Sequence, residues 1–380
     1  MTRRGAALLL MAAVALLCAL STGLPIYYFC TYCFALALGY GLICVVALRF
    51  SLRVRTHLST ASVHRGECAR ITVHIMNRCP LPLCPARITV DAAGTHLQRK
   101  MALKPMKEST LHVDVAANHV GAFICRAARV EVQDLFGLFC ASVTPKSSHL
   151  LLSLPKPFDV EEILFAPGDT GKTALKRTQE DYTSPEDVRA YIPGDAIKRI
   201  HWKLSSRKGE LLVRRYETPA PPDTLILTDQ SKPDAEDEET AFNLRDALCE
   251  TAVAAADMQL KDQSPVRAPF YGRNANEFSS DNALSLPLLQ EMLALQPFDT
   301  RQDFARTLHM ELRRMGRTGA AILITTHLDA RIVDAIAQMR RMGPTVRVYL
   351  VTYQPESEAL RPLVTQLQHH FVEVCYVTPA

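Results

Sequence analysis

The sequence has no charged residue and no histidine between Arg4 and Arg49. An ordinary soluble segment of this length carries charged side chains, so their absence argues against a soluble N-terminal region. The uncharged run is about twice the roughly 20 residues that cross a bilayer once. Gly23 and Pro25 near its middle favour a tight turn. We therefore predict a transmembrane helical hairpin. It occupies residues 1–50, with helices near 6–20 and 26–48.

The alternative for the first apolar run is a cleaved signal peptide, because Arg3 and Arg4 precede it. The second run is long enough to remain as an anchor in either case. Bases also follow the hairpin at Arg49, Arg53 and Arg55, whereas the turn carries none. By the positive-inside rule both ends favour the cytoplasm. We expect a multi-pass membrane protein whose soluble domains are cytoplasmic.

Complete catalytic motifs are also missing from the sequence. It has no HExxH helix, no nucleophile elbow and no pair of cysteine motifs at zinc spacing, which argues against the classes that those motifs mark. The 43 basic and 39 acidic residues give a net charge of +4, too close to balance to indicate a nucleic-acid partner. We expect a binding module rather than an enzyme, and no nucleic acid among its partners.

Residues 51–155 show apolar and polar side chains in alternation. In ARITVHIMN, Ile71, Val73 and Ile75 point to one face of a strand, and the residues between them point to the other. Turn-rich pieces such as HRGE and DAAGT separate several short runs of this kind. The pattern predicts a small antiparallel β-sandwich.

Residues 221–380 show a different pattern. Apolar runs of strand length, such as DTLILTD, AAILITTH, TVRVYLVTY and FVEVCYVTP, alternate with helical patterns. This order predicts an α/β domain with a mainly parallel sheet covered on both faces. Ligands of such sheets bind at the carboxyl ends of the strands, which directs attention to the residues after LILT and LITT.

Asp229 and Ser231 follow the first of these strands, in TDQSKPD. A carboxylate and a hydroxyl at this spacing match the first two positions of a DxSxS metal-adhesion loop, whose oxygen ligands suit magnesium. The third position is Pro233, which has no side-chain oxygen. Further oxygens follow another strand at Thr325, Thr326 and Asp329. A magnesium site and a degenerate loop of the same fold remain as alternatives.

The segment from Asp187 to Glu217 surrounds the only tryptophan, Trp202, with bases. Pro193 and Gly194 suit the centre of a type II turn, and Asp195 suits the N-cap of a following helix. That helix is expected to present a basic ridge, which consists of Arg199, Lys203 and Arg207 at intervals of four. Gly209 is expected to end the helix, and ELLVRRYE to follow as a strand.

Three roles are open for this segment. The basic ridge could form a structural clasp with acids of the same chain, or it could bind an acidic partner protein or lipid phosphates. Exposed ion pairs stabilise a fold by only about 0 to 1 kcal/mol each, which makes a clasp a weak reason for so many bases. The third role is that of a cell-envelope hydrolase, with His201 and Asp195 as its catalytic groups.

The stretch YIPGDAIKRIHWKLSSRKGELLVRRYE resembles the signature of bacterial domain of unknown function family 58. The family pattern runs Tyr-x-Pro-Gly-Asp, then Arg-x-Ile-His-Trp-Lys, then Arg-x-Gly-x-Leu. It is carried here by Tyr191, Pro193, Gly194, Asp195, Arg199, Ile200, His201, Trp202, Lys203, Arg207, Gly209 and Leu211.

The resemblance implies a membrane hairpin, a β domain with an Asp-x-Phe-Gly-Leu-like turn, and a C-terminal von Willebrand factor A-like (Rossmann-like) α/β domain. The turn reads DLFGLF here, and residues 156–220 become a linker that carries the signature. Family members are often encoded beside MoxR-type AAA+ ATPases and transglutaminase-like membrane proteins, which implies such partners. We expect an adaptor or scaffold of the bacterial inner membrane, with no cofactor other than the magnesium considered at Asp229.

Overall fold

The computed structural model divides the chain into two compact units, Met1–Leu154 and Pro155–Ala380. The residues that the structure describes are 1–80, 84–92, 94–160, 185–192, 197–216, 222–272, 275–299, 303–355 and 357–379.

Two apolar helices open the first unit, α1 (Arg3–Thr22) and α2 (Pro25–Ser51). The side chain of Thr2 accepts a hydrogen bond from the first turn of α1, and Gly23 ends this helix in the left-handed conformation, with φ of 67°. Pro25 then occupies the first position of α2, where its missing N–H costs no hydrogen bond. Both helices are long and apolar enough to cross a membrane, by length and composition. The predicted pair of helices and the turn between them are confirmed.

The strands of the first unit form two sheets. They are β1 (Leu52–Leu58), β2 (Ser62–His64), β3 (Cys68–Asn77), β4 (Cys84–Ala92), β5 (Thr95–Leu103), β6 (Glu108–Ala116), β7 (Gly121–Gln133), β8 (Cys140–Val143) and β9 (Ser148–Leu154). One sheet has the antiparallel order β1-β3-β6. The other has the order β2-β9-β7-β4-β5, with β8 beside β7.

The alternation predicted for these strands is confirmed in β3. Ile71, Val73 and Ile75 are buried, and the side chains between them are partly exposed. The same core takes in Ile88 of β4 and Leu151 of β9, so side chains from both sheets share one apolar cluster. Burial of this common face is what fixes the register of the strands.

The turn between β7 and β8, residues 134–139, contacts the start of α1. The hydroxyl of Thr2 donates a hydrogen bond to the Gly137 carbonyl (2.6 Å), and the Thr2 N–H donates to the Leu138 carbonyl (2.9 Å). Gly5 faces the same carbonyl so closely that a Cβ at this position would overlap the Leu138 oxygen. The DLFGLF turn therefore joins the helical hairpin to the β-sheets by direct contact.

The second unit begins with the hairpin of β10 (Pro185–Ala190) and β11 (Leu212–Tyr216), between which lie a 3₁₀ turn (Ile197–Arg199) and α3 (Trp202–Lys208). The strands that follow are β12 (Asp223–Thr228), β13 (Val266–Phe270), β14 (Asn276–Ser280), β15 (Thr318–Thr325), β16 (Thr345–Val351) and β17 (Glu373–Val377). The helices that follow are α4 (Glu238–Lys261), α5 (Leu286–Ala294), α6 (Phe304–Leu312), α7 (Ala330–Arg341) and α8 (Leu360–His369).

The large sheet of this unit has the order β14-β13-β12-β15-β16-β17 and is parallel except at its edge strand β14. Counted from β12, the order is 3-2-1-4-5-6, which is a doubly wound arrangement. The winding reverses between β12 and β15, so their carboxyl ends border the crevice where such sheets bind ligands. The predicted α/β region with a mainly parallel sheet is confirmed.

Candidate functional site

The signature segment folds as the β10–β11 hairpin with α3 packed against it. The N–H of Tyr191 donates to the Leu211 carbonyl (2.8 Å), which extends the pairing of the two strands. Three of the predicted signature positions, Pro193, Gly194 and Asp195, lie outside the described residues. The contacts of the segment are therefore those of its two strands, its 3₁₀ turn and α3.

The single helix predicted for this segment is instead a 3₁₀ turn followed by α3. Ile200 separates the two because it pairs with Val213 of β11 and is buried. His201 then caps α3, since its Nδ1 accepts a hydrogen bond from the Leu204 N–H (3.3 Å). Gly209 ends α3 in the left-handed conformation, with φ of 74°, as predicted.

The break at Ile200 also divides the basic ridge. Arg199 is the last residue of the 3₁₀ turn, whereas Lys203 and Arg207 lie four residues apart in α3 and are exposed. Trp202, the first residue of α3, is 61% exposed. The helix therefore exposes a large aromatic side chain and two positive charges.

Ser205 attaches α3 to β11, a role that the sequence did not reveal. It is buried, and its hydroxyl accepts a hydrogen bond from the Leu212 N–H (2.9 Å). The Leu212 carbonyl in turn accepts from the N–H of His201 (2.8 Å). Both backbone polar groups of one strand residue thus bind the start and middle of α3. A serine within a short helix gives no sequence signal for such an attachment.

Asp229 lies at the carboxyl end of β12 and is buried. Its Oδ2 accepts a hydrogen bond from the Thr325 hydroxyl (2.8 Å) at the end of β15, and its Oδ1 accepts from the Ser231 N–H (3.0 Å). The Nδ1 of His327 is 3.4 Å from the same Oδ2. The sheet thus brings these four residues together, whereas Asp329 caps the first turn of α7.

A small cavity of about 10 Å³ adjoins Asp229, with Gln230, Tyr271 and Thr307 among its lining residues. This is room for about one water-sized species. The Oε1 of Gln230 accepts from the Tyr271 N–H (3.1 Å). Its Nε2 is buried without a partner among the described residues, so a water in the cavity would satisfy it.

The fit to magnesium depends on the oxygen ligands at this point. Among the described residues, no group of three or more His, Cys, Asp or Glu is placed to hold a metal ion. Asp229 supplies one carboxylate here, and both of its oxygens already accept hydrogen bonds from the protein. Magnesium prefers near-octahedral oxygen coordination. The ligand set is incomplete, and magnesium at Asp229 and Ser231 stays a prediction.

The comparison with protein families matches residues 187–368 to "Protein of unknown function DUF58". The match covers 182 of the 380 residues, just under half of the chain. A DUF58 resemblance was expected from the signature, and it is confirmed. The chain is also similar to "Uncharacterized protein YeaD" of Bacillus subtilis (strain 168), with 23% identity over 211 residues that cover 52% of each protein. The chain therefore spans about half the length of this curated relative.

Two of the solved structures that resemble the chain match it over about a quarter of its length. The CARDB domain of the PF1109 protein from Pyrococcus furiosus is 17% identical, with coverage of 27% of this chain and 87% of that one and a TM-score of 0.19. Spo0M, a sporulation control protein from Bacillus subtilis, is 12% identical, with coverage of 28% and 51% and a TM-score of 0.18. Scores this low carry no argument about function.

The DUF58 region contains a second, larger cavity of about 740 Å³ at the carboxyl ends of β15 and β16. Asp234, Glu236 and Asp237 line one part of it, and His327 and Tyr353 line another. Its volume lies within the range of ligand sites in proteins, about 300–1,000 Å³. The acidic run before α4 thus borders a cleft beside the Asp229 site.

Proposed function

We propose that the protein is a membrane-anchored, non-enzymatic adaptor that binds an acidic partner protein through α3. The observation that carries this proposal is that one short helix exposes Trp202, at 61%, together with the bases Lys203 and Arg207. Tryptophan and arginine are enriched among the residues that dominate protein–protein binding energy. The caps of α3 and the attachment through Ser205 hold this surface in one conformation, which lowers the entropy cost of binding.

The partner that we propose is a MoxR-type AAA+ ATPase, with a transglutaminase-like membrane protein as a second one. The family resemblance suggests both partners. Because α3 is positively charged, the surface of the partner that binds it should be acidic. The hydrolase alternative has less support, because the Nδ1 of His201 already accepts a hydrogen bond as the cap of α3.

We also propose that the α/β region is von Willebrand factor A-like and that residues 51–155 form a β-sandwich. The strand order 3-2-1-4-5-6 with an antiparallel edge supports the first proposal, as does the position of Asp229 where the winding reverses. The apolar core shared by both β-sheets supports the second.

The partner proposal is tested by the affinity of the purified full-length protein for the ATPase. Trp202→Ala should weaken binding by about 30-fold, the effect of a hot-spot residue worth about 2 kcal/mol. The pair Lys203→Glu and Arg207→Glu should weaken it further at low salt. The matched control is Arg306→Glu with Arg361→Glu, which changes the same charge at exposed positions of α6 and α8. Equal affinity of all variants would sink the proposal.

Membrane orientation has a separate test. We propose that both ends of the hairpin and both units are cytoplasmic, because bases precede α1 and follow α2. Alkaline phosphatase fused to the C-terminus should therefore be inactive, and the same enzyme inserted after Gly23 should be active. Activity of the C-terminal fusion would place the units on the opposite side.

A further inference from the structure

A second site lies in the first unit, beside the end of α2. We call it the arginine cavity, and its volume is about 290 Å³. It is lined by Arg53, Arg55, His74, Met76, Arg78 and Glu108. This volume is close to the lower end of the range for ligand sites, about 300 Å³. The N–H of Arg78 donates to the carbonyl of Ser51 (3.4 Å), so the cavity borders the last residue of α2.

The strand pattern explains why these arginines converge. In β1, Leu52 and Thr56 point into the core, whereas Arg53 and Arg55 point outward. The antiparallel register sets Arg53 opposite Met76 and Arg55 opposite His74. All four side chains therefore lie on one face of the β1-β3-β6 sheet, and the cavity opens on that face.

The arginine cavity has an excess of positive charge. Within the described part of the chain, no ion pair joins Arg53, Arg55 or Arg78 to a carboxylate. Glu108 is the one acid of the lining, and its carboxylate is 2.8 Å from the Nδ1 of His74. The carboxyl end of α2 adds about half a negative charge. Three guanidinium charges outweigh these two contributions by about 1.5 charges, and His74 is not counted in this sum.

The length of α2 places the arginine cavity relative to a bilayer. This helix has 27 residues, which corresponds to about 40 Å at 1.5 Å per residue. The hydrocarbon core is about 30 Å thick, and the whole bilayer is about 40–45 Å. With α2 across the membrane, as proposed above, its last turns lie on the headgroup side of the span, where Leu48 packs into the core of the β-sheets. Phe50 in the same turn is 82% exposed.

We propose that the arginine cavity binds a phosphate-type oxyanion, presented by the headgroup of an anionic phospholipid. Guanidinium groups bind phosphate oxygens in bidentate geometry, and three of them around one cavity favour the binding of an anion there. Met76 supplies an apolar wall for the glycerol part of a lipid. The bound headgroup would hold the β-sheets at a fixed position on the bilayer. The assignment of the anion to a lipid headgroup depends on the proposed membrane span, whereas the oxyanion site itself does not.

The experiment uses the full-length protein in neutral detergent. Native mass spectrometry measures how much phosphatidylglycerol the protein retains relative to phosphatidylcholine. Thermal unfolding measures the change in melting temperature that inorganic phosphate causes at constant ionic strength. The test variant is Arg53→Gln with Arg55→Gln. The matched control is Arg99→Gln with Lys100→Gln, which removes the same charge at exposed positions of β5. Wild type and control should prefer phosphatidylglycerol by about tenfold or more, and the test variant should lose that preference.

Each outcome bears on the proposal. Arg78→Gln, which alters a different segment of the lining, should also lose the preference. Stabilisation by inorganic phosphate that disappears in the test variant, without a lipid preference, would keep the oxyanion site and assign it to a soluble ligand. Equal behaviour of wild type, test variant and control in both arms would overturn the site. Flotation with phosphatidylcholine vesicles tests membrane insertion of the helical hairpin alone. A protein that does not float therefore contradicts the membrane span without contradicting the oxyanion site.

Discussion

Glu311 is fully buried in α6 and is the centre of a charged network in the α/β unit. Its carboxylate accepts hydrogen bonds from Arg267 (2.7 Å), from Arg314 (3.0 Å) and from the hydroxyl of Tyr271. Burial and the contact with Glu311 both raise the pKa of Tyr271. The network stabilises the unit only as long as its charges remain paired.

Replacement of this carboxylate should therefore be costly. We expect Glu311→Ala to lower the free energy of unfolding by about 3 kcal/mol or more, because Arg267 would lose its closest partner while it stays buried. Chemical denaturation of the full-length protein in detergent measures the change. Glu291→Ala, at an exposed position of α5, is the control and should cost less than about 0.5 kcal/mol. A similar loss in both variants would contradict this account.

The same network predicts a dependence on pH. Burial alone would raise the pKa of Glu277, but hydrogen bonds and attraction from Arg314 and Arg267 outweigh it and hold the pKa below its ordinary value. The stabilisation is therefore present above the unfolded-state pKa of about 4.3 and is lost as the pH falls below it. Glu277→Gln should make the melting temperature fall less steeply between about pH 5 and pH 3. A slope parallel to that of the wild type would show that Glu277 contributes nothing.

Substitution of Asp229 distinguishes a magnesium site from a degenerate loop at the end of β12. Asp229→Asn weakens the acceptor for the Thr325 hydroxyl, and we expect a loss of about 1.5–3 kcal/mol. Because protein donors already occupy both oxygens, the loss should be the same in magnesium and in a chelator. Thermal unfolding under both conditions measures it. Magnesium that raises the melting temperature of the wild type and not that of the variant would establish a metal site.

Among the elements, the helices and strands with strong periodicity could be predicted from sequence, and the exceptions have physical causes. Ile200 fits a helical stripe, but its backbone pairs with Val213, and this pairing between residues distant in sequence overrides the local preference. The edge strand β14 has the sequence NEFSS, which contains no apolar run to mark it. The bond between Asp229 and Thr325 spans 96 residues, so it depends on the strand order rather than on any local pattern.

The contact between α1 and the β7–β8 turn gives a prediction with a matched control. Gly5→Ala should destabilise the first unit by about 1–3 kcal/mol, because its Cβ would overlap the backbone carbonyl of Leu138. Gly39→Ala, in α2, meets nothing within 4 Å and should be neutral or slightly stabilising. Thermal unfolding and protease cleavage within residues 134–139 measure both variants. Changes of the same sign in both would refute the close contact.

In the molecule as a whole, the placement of charge is more informative than its sum. The net charge of +4 points to no partner. Yet basic residues line the arginine cavity in the first unit. In the second unit, basic residues are exposed on α3 and acidic residues border the large cleft. Sequence reasoning located the bases of α3 because they are close together in the chain. It could not locate the arginine cavity, because Arg78 joins Arg53 and Arg55 only through strand pairing.

The hydrogen bond from Thr2 to Gly137 also has a consequence for the order of assembly during biosynthesis. These two residues are separated by 135 positions. At about 5–20 residues per second, the ribosome adds Gly137 on the order of ten seconds after Thr2. The hairpin is therefore complete long before the turn that covers Gly5 exists. The β-sheets of the first unit therefore fold after the helical hairpin has been made and pack against the start of α1.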